Sequence, residues 1–226
     1  PVCLSLCQDV QAESYSFPAD FFNDYIWDIS RIRCDEDALS GAIKALSIAR
    51  RPVIIAGGGV RYSGAHDVLK TLAESAGIPV AMTQAGKSAL PDDHPLCLGA
   101  IGVTGTSAAN KIVAEADVIL SIGSRLQDFT TGSNTLLSGQ IISINMQAHD
   151  AVKSDALALI GDAKATLYEL LDGLGSHHTS QSYSANIKDA QTIWMAERAR
   201  VTDAPSSNNL PSDSEVIGAV NRATPQ

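Results

Sequence analysis

The chain has 226 residues, 45% hydrophobic, 5% aromatic and 18% charged, with 16 Lys+Arg against 25 Asp+Glu and a formal net charge of -9. That apolar content excludes a disordered chain, and no apolar run approaches the roughly 18 residues of a membrane span. The acidic balance excludes nucleic acid as a partner, because no Lys/Arg cluster is denser than Arg50-Arg51, and neutralising phosphates takes a basic stripe.

In chain order, Val2-Cys3-Leu4-Ser5-Leu6-Cys7 has the alternation of a strand, which places Cys3 and Cys7 about 13 Å apart, too far for a disulfide. All four cysteines, Cys3, Cys7, Cys34 and Cys97, are expected to be reduced and buried. An aromatic-rich connector follows, Tyr15 to Trp27, expected to pack and not to float. From Asp35 the spacing of Ala38, Leu39, Ala42, Ile43 and Leu46 predicts a helix with acidic residues in its first turn. Pro52–Ala56 is a short, wholly apolar run, the pattern of a strand covered on both faces.

The alternation then repeats. Ser63 is expected to cap a helix carrying Val68, Leu69, Leu72, Ala73 and Ala76, closed by Gly77, and a strand over Ile78–Met82 follows. The stretch from Gly99 to Asn110 has the composition of a loop that ends at a helix N-terminus, with Thr106 capping a helix through Ala116. Strands are predicted at Val118–Ile122, Gln140–Ile144 and Leu157–Ile160, and a helix from Asp162 to Leu171. Apolar strands alternating with amphipathic helices define an α/β fold, a doubly wound parallel sheet with helices on both faces. The core domain is expected over residues 35–173. Beyond Gly173 the composition turns to Ser, His, Thr, Gln and Asn, with His177-His178 in a solvated loop, a helix near Ala185–Arg200 and another starting at Ser212. The start at Pro1 and the end at Gln226 both have the character of cuts, so a piece of a longer polypeptide is expected.

In a doubly wound sheet ligands bind outside the carboxyl ends of the strands. Those ends are glycine-rich here. Gly57-Gly58-Gly59 lies between a strand and a helix, where exposed backbone N–H groups suit phosphate or adenosine. It fails the dinucleotide fingerprint, since the third glycine falls at Tyr62 and no ribose-binding acid follows Met82-Thr83-Gln84. Gly86-Lys87-Ser88 has the tail of a P-loop, but Ala81 replaces the first glycine and Pro91 and Pro95 interrupt the helix that would follow. Gly102-Val-Thr104-Gly105 and Ser124-Arg125-Leu-Gln-Asp128 complete the set, with Arg125 and Asp128 expected as a local ion pair or loop anchor. There is no Gly-x-Ser-x-Gly elbow, no His-Glu-x-x-His helix, no Cys-x-x-Cys pair and no metal pattern among the histidines.

Taken together, the segments Arg51-Pro-Val-Ile-Ile-Ala-Gly-Gly-Gly, Gly77-Ile-Pro-Val-Ala-Met-Thr, Gly102-Val-Thr-Gly-Thr-Ser-Ala-Ala-Asn, Ala116-Asp-Val-Ile-Leu-Ser-Ile-Gly-Ser-Arg and Gly161-Asp162 resemble the central domain of thiamine-diphosphate-dependent enzymes of the acetohydroxyacid synthase type. The resemblance covers nearly the whole chain. It implies a Rossmann-like six-stranded parallel sheet between a pyrimidine-binding and a diphosphate-binding domain. Residues 1–34 would then be the end of the preceding domain and a connector, and residues 174–226 a linker and the first helix of the following domain. The segments Pro1–Tyr15, Asp128-Phe-Thr-Thr-Gly-Ser, Ile142-Ser-Ile-Asn-Met-Gln and Leu210–Arg222 narrow the resemblance to a branch that opens a cyclic 1,2-diketone by C–C cleavage.

The resemblance further implies thiamine diphosphate and Mg²⁺ in the parent enzyme, bound by domains outside this chain, a homo-oligomer with a shared active site, and no catalytic residue within these 226 positions. Relatives that bind FAD or ADP use loops matching Gly57, Gly58, Gly59, Thr83, Gln84, Gly86, Gly102, Thr104, Gly105, Arg125, Asp128 and Asn145. Thr104 stands where flavin-binding synthases commonly have His, and Asn145 where they have Asp, so the resemblance implies a vestigial nucleotide site. Two alternatives stand beside this expectation: a free-standing nucleotide-binding module, and the middle domain of a synthase or decarboxylase acting on a 2-keto acid. A cytoplasmic location is expected.

Overall fold

The computed structural model describes residues 3–28, 30–203 and 210–224. The chain divides into two compact units, residues 1–30 and 31–226. The first contains one short helix, α1 (Gln8–Ala12), and a 3-10 turn at Ala19–Phe22. Its described residues are all exposed. The strand expected from Val2 does not form: Val2 lies outside the described residues, and Cys3 to Leu6 is irregular, because an alternating pattern makes a strand only beside a neighbour that completes its hydrogen bonds. Cys3 and Cys7 are accordingly exposed, not buried as expected, whereas Cys34 and Cys97 are buried. Within the connector, aromatic rings meet one another. Phe17 contacts Tyr15 (5.1 Å between centroids) and Phe21 (4.7 Å), while Trp27 is 83% exposed.

The second unit is a six-stranded, all-parallel sheet ordered β3-β2-β1-β4-β5-β6. It begins with α2 (Glu36–Ile48), where the Asp35 carboxylate accepts the Asp37 and Ala38 amides as an N-cap. Central strand β1 (Pro52–Ala56) is buried throughout, as is its neighbour β4 (Val118–Ile122). Between them the chain forms α3 (Gly58–Ser63), α4 (His66–Ala76), β2 (Val80–Met82), β3 (Cys97–Ala100) and α5 (Ser107–Ala114). It then adds α6 (Asp128–Thr131), β5 (Gln140–Asn145), α7 (Ala148–Ala151), β6 (Leu157–Ile160) and α8 (Ala163–Leu174) on the other side of β4. The direction of winding therefore reverses between β1 and β4, which is the switch point where such sheets open a crevice.

Side-chain alternation sends Ile54, Ala56, Leu120, Ile122, Ile142 and Ile144 into one core with Leu46, Leu69, Leu72, Leu167 and Leu170. Val53, Ile55, Ile119 and Ile141 go into a second core with Ala109, Ile112 and Val113 of α5. Helices thus cover both faces, and the doubly wound parallel fold expected from the apolar strands is the one present.

Several local expectations differ. Strand β3 occupies part of the stretch expected as loop, because pairing to β2 supplies the order that its short Cys-Leu-Gly-Ala run lacks alone. Ser63 ends α3, and α4 starts after Ala65; the Ser63 hydroxyl instead accepts the Lys164 amide at the start of α8 (2.9 Å). His177-His178 lie in an irregular stretch, as expected, with His178 exposed, although its ring borders Gly77, where an added Cβ would come within 2.6 Å of it. The helix expected near Ala185–Arg200 is present but longer, α9 (Gln181–Asp203), and its Tyr183, Ile187 and Ala190 are buried in the second core. Its composition misleads because only one narrow stripe of a 23-residue helix is apolar. Ser212 and Glu215 form a capping box for α10 (Asp213–Ala223).

Candidate functional site

Every residue expected at the nucleotide loops lies at or just beyond the carboxyl end of a strand, so the fold gathers them along one rim. What fills the rim is the chain's own backbone. Gly57 N–H donates to Ile122 C=O (2.8 Å) and Gly59 N–H to Gly123 C=O (3.1 Å), stitching the start of α3 to the end of β4 across the switch point. A Cβ on Gly57 would lie 2.4 Å from Gly123 O, and one on Gly59 would lie 2.5 Å from Gly123 Cα. These glycines are thus required by backbone meeting backbone. Gly58 is looser, with an added Cβ 3.3 Å from Ala85 Cβ.

At the end of β2, Thr83 N–H donates to Ala56 C=O (2.9 Å), and the Thr83 hydroxyl accepts the Gly86 amide (3.1 Å). Gly86 sits directly on β1: a Cβ there would be 2.0 Å from Ala56 O. Gln84 is exposed. Beyond β3, Asn110 clamps Gly102 with both ends of its amide, accepting the Gly102 N–H (3.0 Å) and donating to its C=O (2.9 Å). Gly102, at φ 103°, has Phe129 O 2.2 Å from an added Cβ, and Gly105 N–H donates to Gly102 C=O (2.9 Å). Thr104 is exposed beside them.

Beyond β4, Arg125 and Asp128 do not pair among the described residues, which removes the ion-pair half of the expectation of an ion pair or loop anchor. Buried Leu126, held at φ 44°, turns the backbone between them, and Asp128 opens α6. Asn145, at the end of β5, donates from Nδ2 to Ser124 C=O (3.1 Å) and accepts the Gln147 amide at Oδ1 (3.0 Å). A carboxylate could accept from Gln147 but would face the Ser124 carbonyl without a proton to offer, which is a local reason for Asn at this position.

Thr83, Asn110 and Asn145 are thus committed to loop hydrogen bonds, the side chains of Gln84, Thr104, Arg125 and Asp128 are exposed, and the side-chain side of Gly57, Gly59, Gly86 and Gly102 is taken by Gly123, Ala56 and Phe129–Thr130 backbone. A cleft of about 720 Å³ lies beside it, walled by Leu126, Phe129, Asn134 and Lys153 among others, but of the twelve expected residues only Asp128 borders it. No group of three His, Cys, Asp or Glu capable of holding a metal occurs among the described residues.

One polar cluster was missed from sequence because its members are far apart in the chain. Arg31 Nη1 donates to Asp162 Oδ1 (2.8 Å) and to Ser63 O (2.9 Å), and Ser63 Oγ donates to Asp162 Oδ2 (2.8 Å). Burial alone would raise the Asp162 carboxyl, but hydrogen bonds from Arg31, the Ala165 amide and Ser63 outweigh it and hold the carboxyl below its usual range. The cluster fixes the N-terminus of α8, a structural task.

Comparison with known proteins agrees with this geometry. Residues 39–170 match the family model described as thiamine pyrophosphate enzyme, central domain. The chain belongs to that family. Among curated proteins, it is 40% identical over 212 residues to a 3D-(3,5/4)-trihydroxycyclohexane-1,2-dione hydrolase of Clostridium perfringens, covering 92% of this chain and 33% of the relative. A protein of the same name from Bacillus cereus (strain AH820) is 42% identical over 203 residues, 88% of this chain and 32% of the relative. The chain thus spans about a third of the length of the curated relatives it matches.

Proposed function

We propose that this thiamine pyrophosphate enzyme central domain belongs to a hydrolase that cleaves a C–C bond of trihydroxycyclohexane-1,2-dione in myo-inositol catabolism. The observation that carries the reading is identity of 40–42% across about nine tenths of the chain to relatives of that name. In this reading residues 1–34 continue from a pyrimidine-binding domain, and residues 174–226 lead into a diphosphate-binding domain. Thiamine diphosphate, held by those domains with Mg²⁺, supplies a carbon nucleophile and an electron sink when bound. The residues described above contribute the rigid, doubly covered sheet that spaces the flanking domains, and none of them touches the reacting atoms. The enzyme works as a cytoplasmic homo-oligomer. No helix among the described residues is long and apolar enough to cross a membrane.

The test is turnover by the full-length protein with thiamine diphosphate and Mg²⁺, offered the dione, pyruvate or malonic semialdehyde. Ring opening of the dione with little reaction of the keto acids is expected. Faster turnover of a keto acid would replace the reading with a synthase or decarboxylase. Calorimetric titration of the 226-residue chain with FAD and ADP is expected to give no heat, since Asn145 offers no carboxylate to a ribose or adenine donor and its amide is engaged by Ser124 and Gln147; saturable binding would restore the nucleotide-module reading.

A further inference from the structure

The densest basic pair in this acidic chain, Arg50-Arg51, has no part in the rim. It lies at the opposite, amino end of the central strands, in the turn from α2 into β1. A groove of about 720 Å³ opens there between that turn, Asp117 at the start of β4, and the first turn of α9, bordered by Ser180, Ser182 and Asn186. We propose that this groove is a binding site for a small oxyanion, phosphate or the phosphate group of a monoester.

Four observations converge on it. Arg50 and Arg51 are both exposed, both line the groove, and neither forms an ion pair among the described residues, so two cations stand at the groove against one carboxylate. The one carboxylate in the groove, Asp117, is already engaged by main chain, accepting the Arg50 amide at 2.7 Å and the Arg51 amide at 2.9 Å. That engagement fixes the turn from which both arginines project. Across the groove is the amino end of a 23-residue helix with no acidic residue in its first turn, so its positive end is not neutralised locally. Within that turn the Ser180 hydroxyl and carbonyl serve the Tyr183 amide, whereas the Ser182 amide has no acceptor among the described residues.

The wall is rigid where the anion would rest. Tyr183 is 3% exposed and its hydroxyl donates to Pro52 C=O (2.9 Å), tying α9 to the first residue of β1. Burial pushes its phenol well above the ordinary range, so it stays a neutral donor at physiological pH. Thr179 is tied to the end of α4 through Gly77 C=O (2.8 Å). The Ser180 and Ser182 hydroxyls bond each other (3.0 Å), which leaves one hydroxyl proton of the pair to donate; with the Ser182 amide and the arginine forks it matches the several acceptor oxygens of a tetrahedral oxyanion, and an amine or neutral ligand would leave the arginines unmatched.

The test is a ¹⁵N-HSQC titration of the full chain with inorganic phosphate and with glycerol 2-phosphate, ionic strength held constant with sodium chloride. Saturable shifts confined to the amides of residues 50–52, 117 and 180–186 are expected, weakened at least tenfold in the double variant Arg50→Gln, Arg51→Gln. These side chains are exposed, so the variant should keep the wild-type melting temperature; Ser182→Pro, which removes one amide donor at a first-turn position, gives a second check. Tighter binding of the monoester would identify an organic phosphate as the ligand class, and equal binding inorganic phosphate. The proposal is overturned by linear, unsaturating shifts, by the same shifts with chloride alone, or by equal affinity in the double variant.

Discussion

At the scale of single residues, the rim glycines differ in kind although they look alike in sequence. Gly86 has no special backbone angle but rests on Ala56 O, whereas Gly64 (φ 62°) has nothing within 4 Å of an added Cβ. Gly86→Ala must displace central-strand backbone and is expected to cost about 3 kcal/mol or more, against about 1 kcal/mol for Gly64→Ala, which bears only left-handed strain. Urea unfolding of both variants checks the order; equal losses would mean the loops can separate freely. Asp162 makes a second residue-scale prediction. Its carboxyl is held low in the folded chain, so its stabilisation is complete above the unfolded pKa, near 4, and disappears as pH falls through the lower folded value. Asp162→Asn retains capping ability, so the stability difference from wild type should be about 1–2 kcal/mol at pH 7 and should shrink below pH 4. A pH-independent difference would assign the loss to packing. The loops of the site were legible as glycine-rich strand ends; what occupies the space beside each glycine was not, because the meeting of Gly59 with Gly123 joins residues distant in sequence.

Elements show where local pattern suffices. Strands β4 and β6 begin and end where their apolar runs do, and α2 starts directly after Asp35, where the helical spacing begins. Strand β3 escaped because its order comes from its partner β2, and the burial of α9, though not its helicity, escaped because the stripe it buries meets the α5 face. Strands β4 and β5 carry a feature that pattern alone does not explain. Ser121 and Ser143 are register partners, both 0% exposed, and neither hydroxyl has a hydrogen-bond partner among the described residues. An unsatisfied buried hydroxyl is destabilising, so the double variant Ser121→Ala, Ser143→Ala should match or exceed wild-type stability by up to about 1 kcal/mol. A loss above about 2 kcal/mol in thermal or urea unfolding would show that the hydroxyls have a bound partner, for which a bridging water between the two strands has the right chemistry.

For the whole molecule, α9 decides where the folding unit ends. Burying the Tyr183 and Ile187 side chains is worth about 3–6 kcal/mol, comparable to the entire stability of many domains. A chain stopped at Leu174 should therefore bind a hydrophobic dye and aggregate, while one stopped at Asp203 should melt cooperatively near the temperature of the 226-residue chain. Equal melting of the two would show α9 to be an accessory. The strand order has a further consequence, for synthesis on the ribosome. Strand β1 is made first among the strands and lies at the centre of the sheet, so β2 and β3 can complete only one of its sides. Its other edge stays open until β4 emerges, a wait of several seconds at roughly 5–20 residues per second. An apolar, unpaired central edge is a site for misassembly with other nascent chains, so synonymous changes that slow translation between Pro52 and Ile122 should lower the soluble yield without altering the protein.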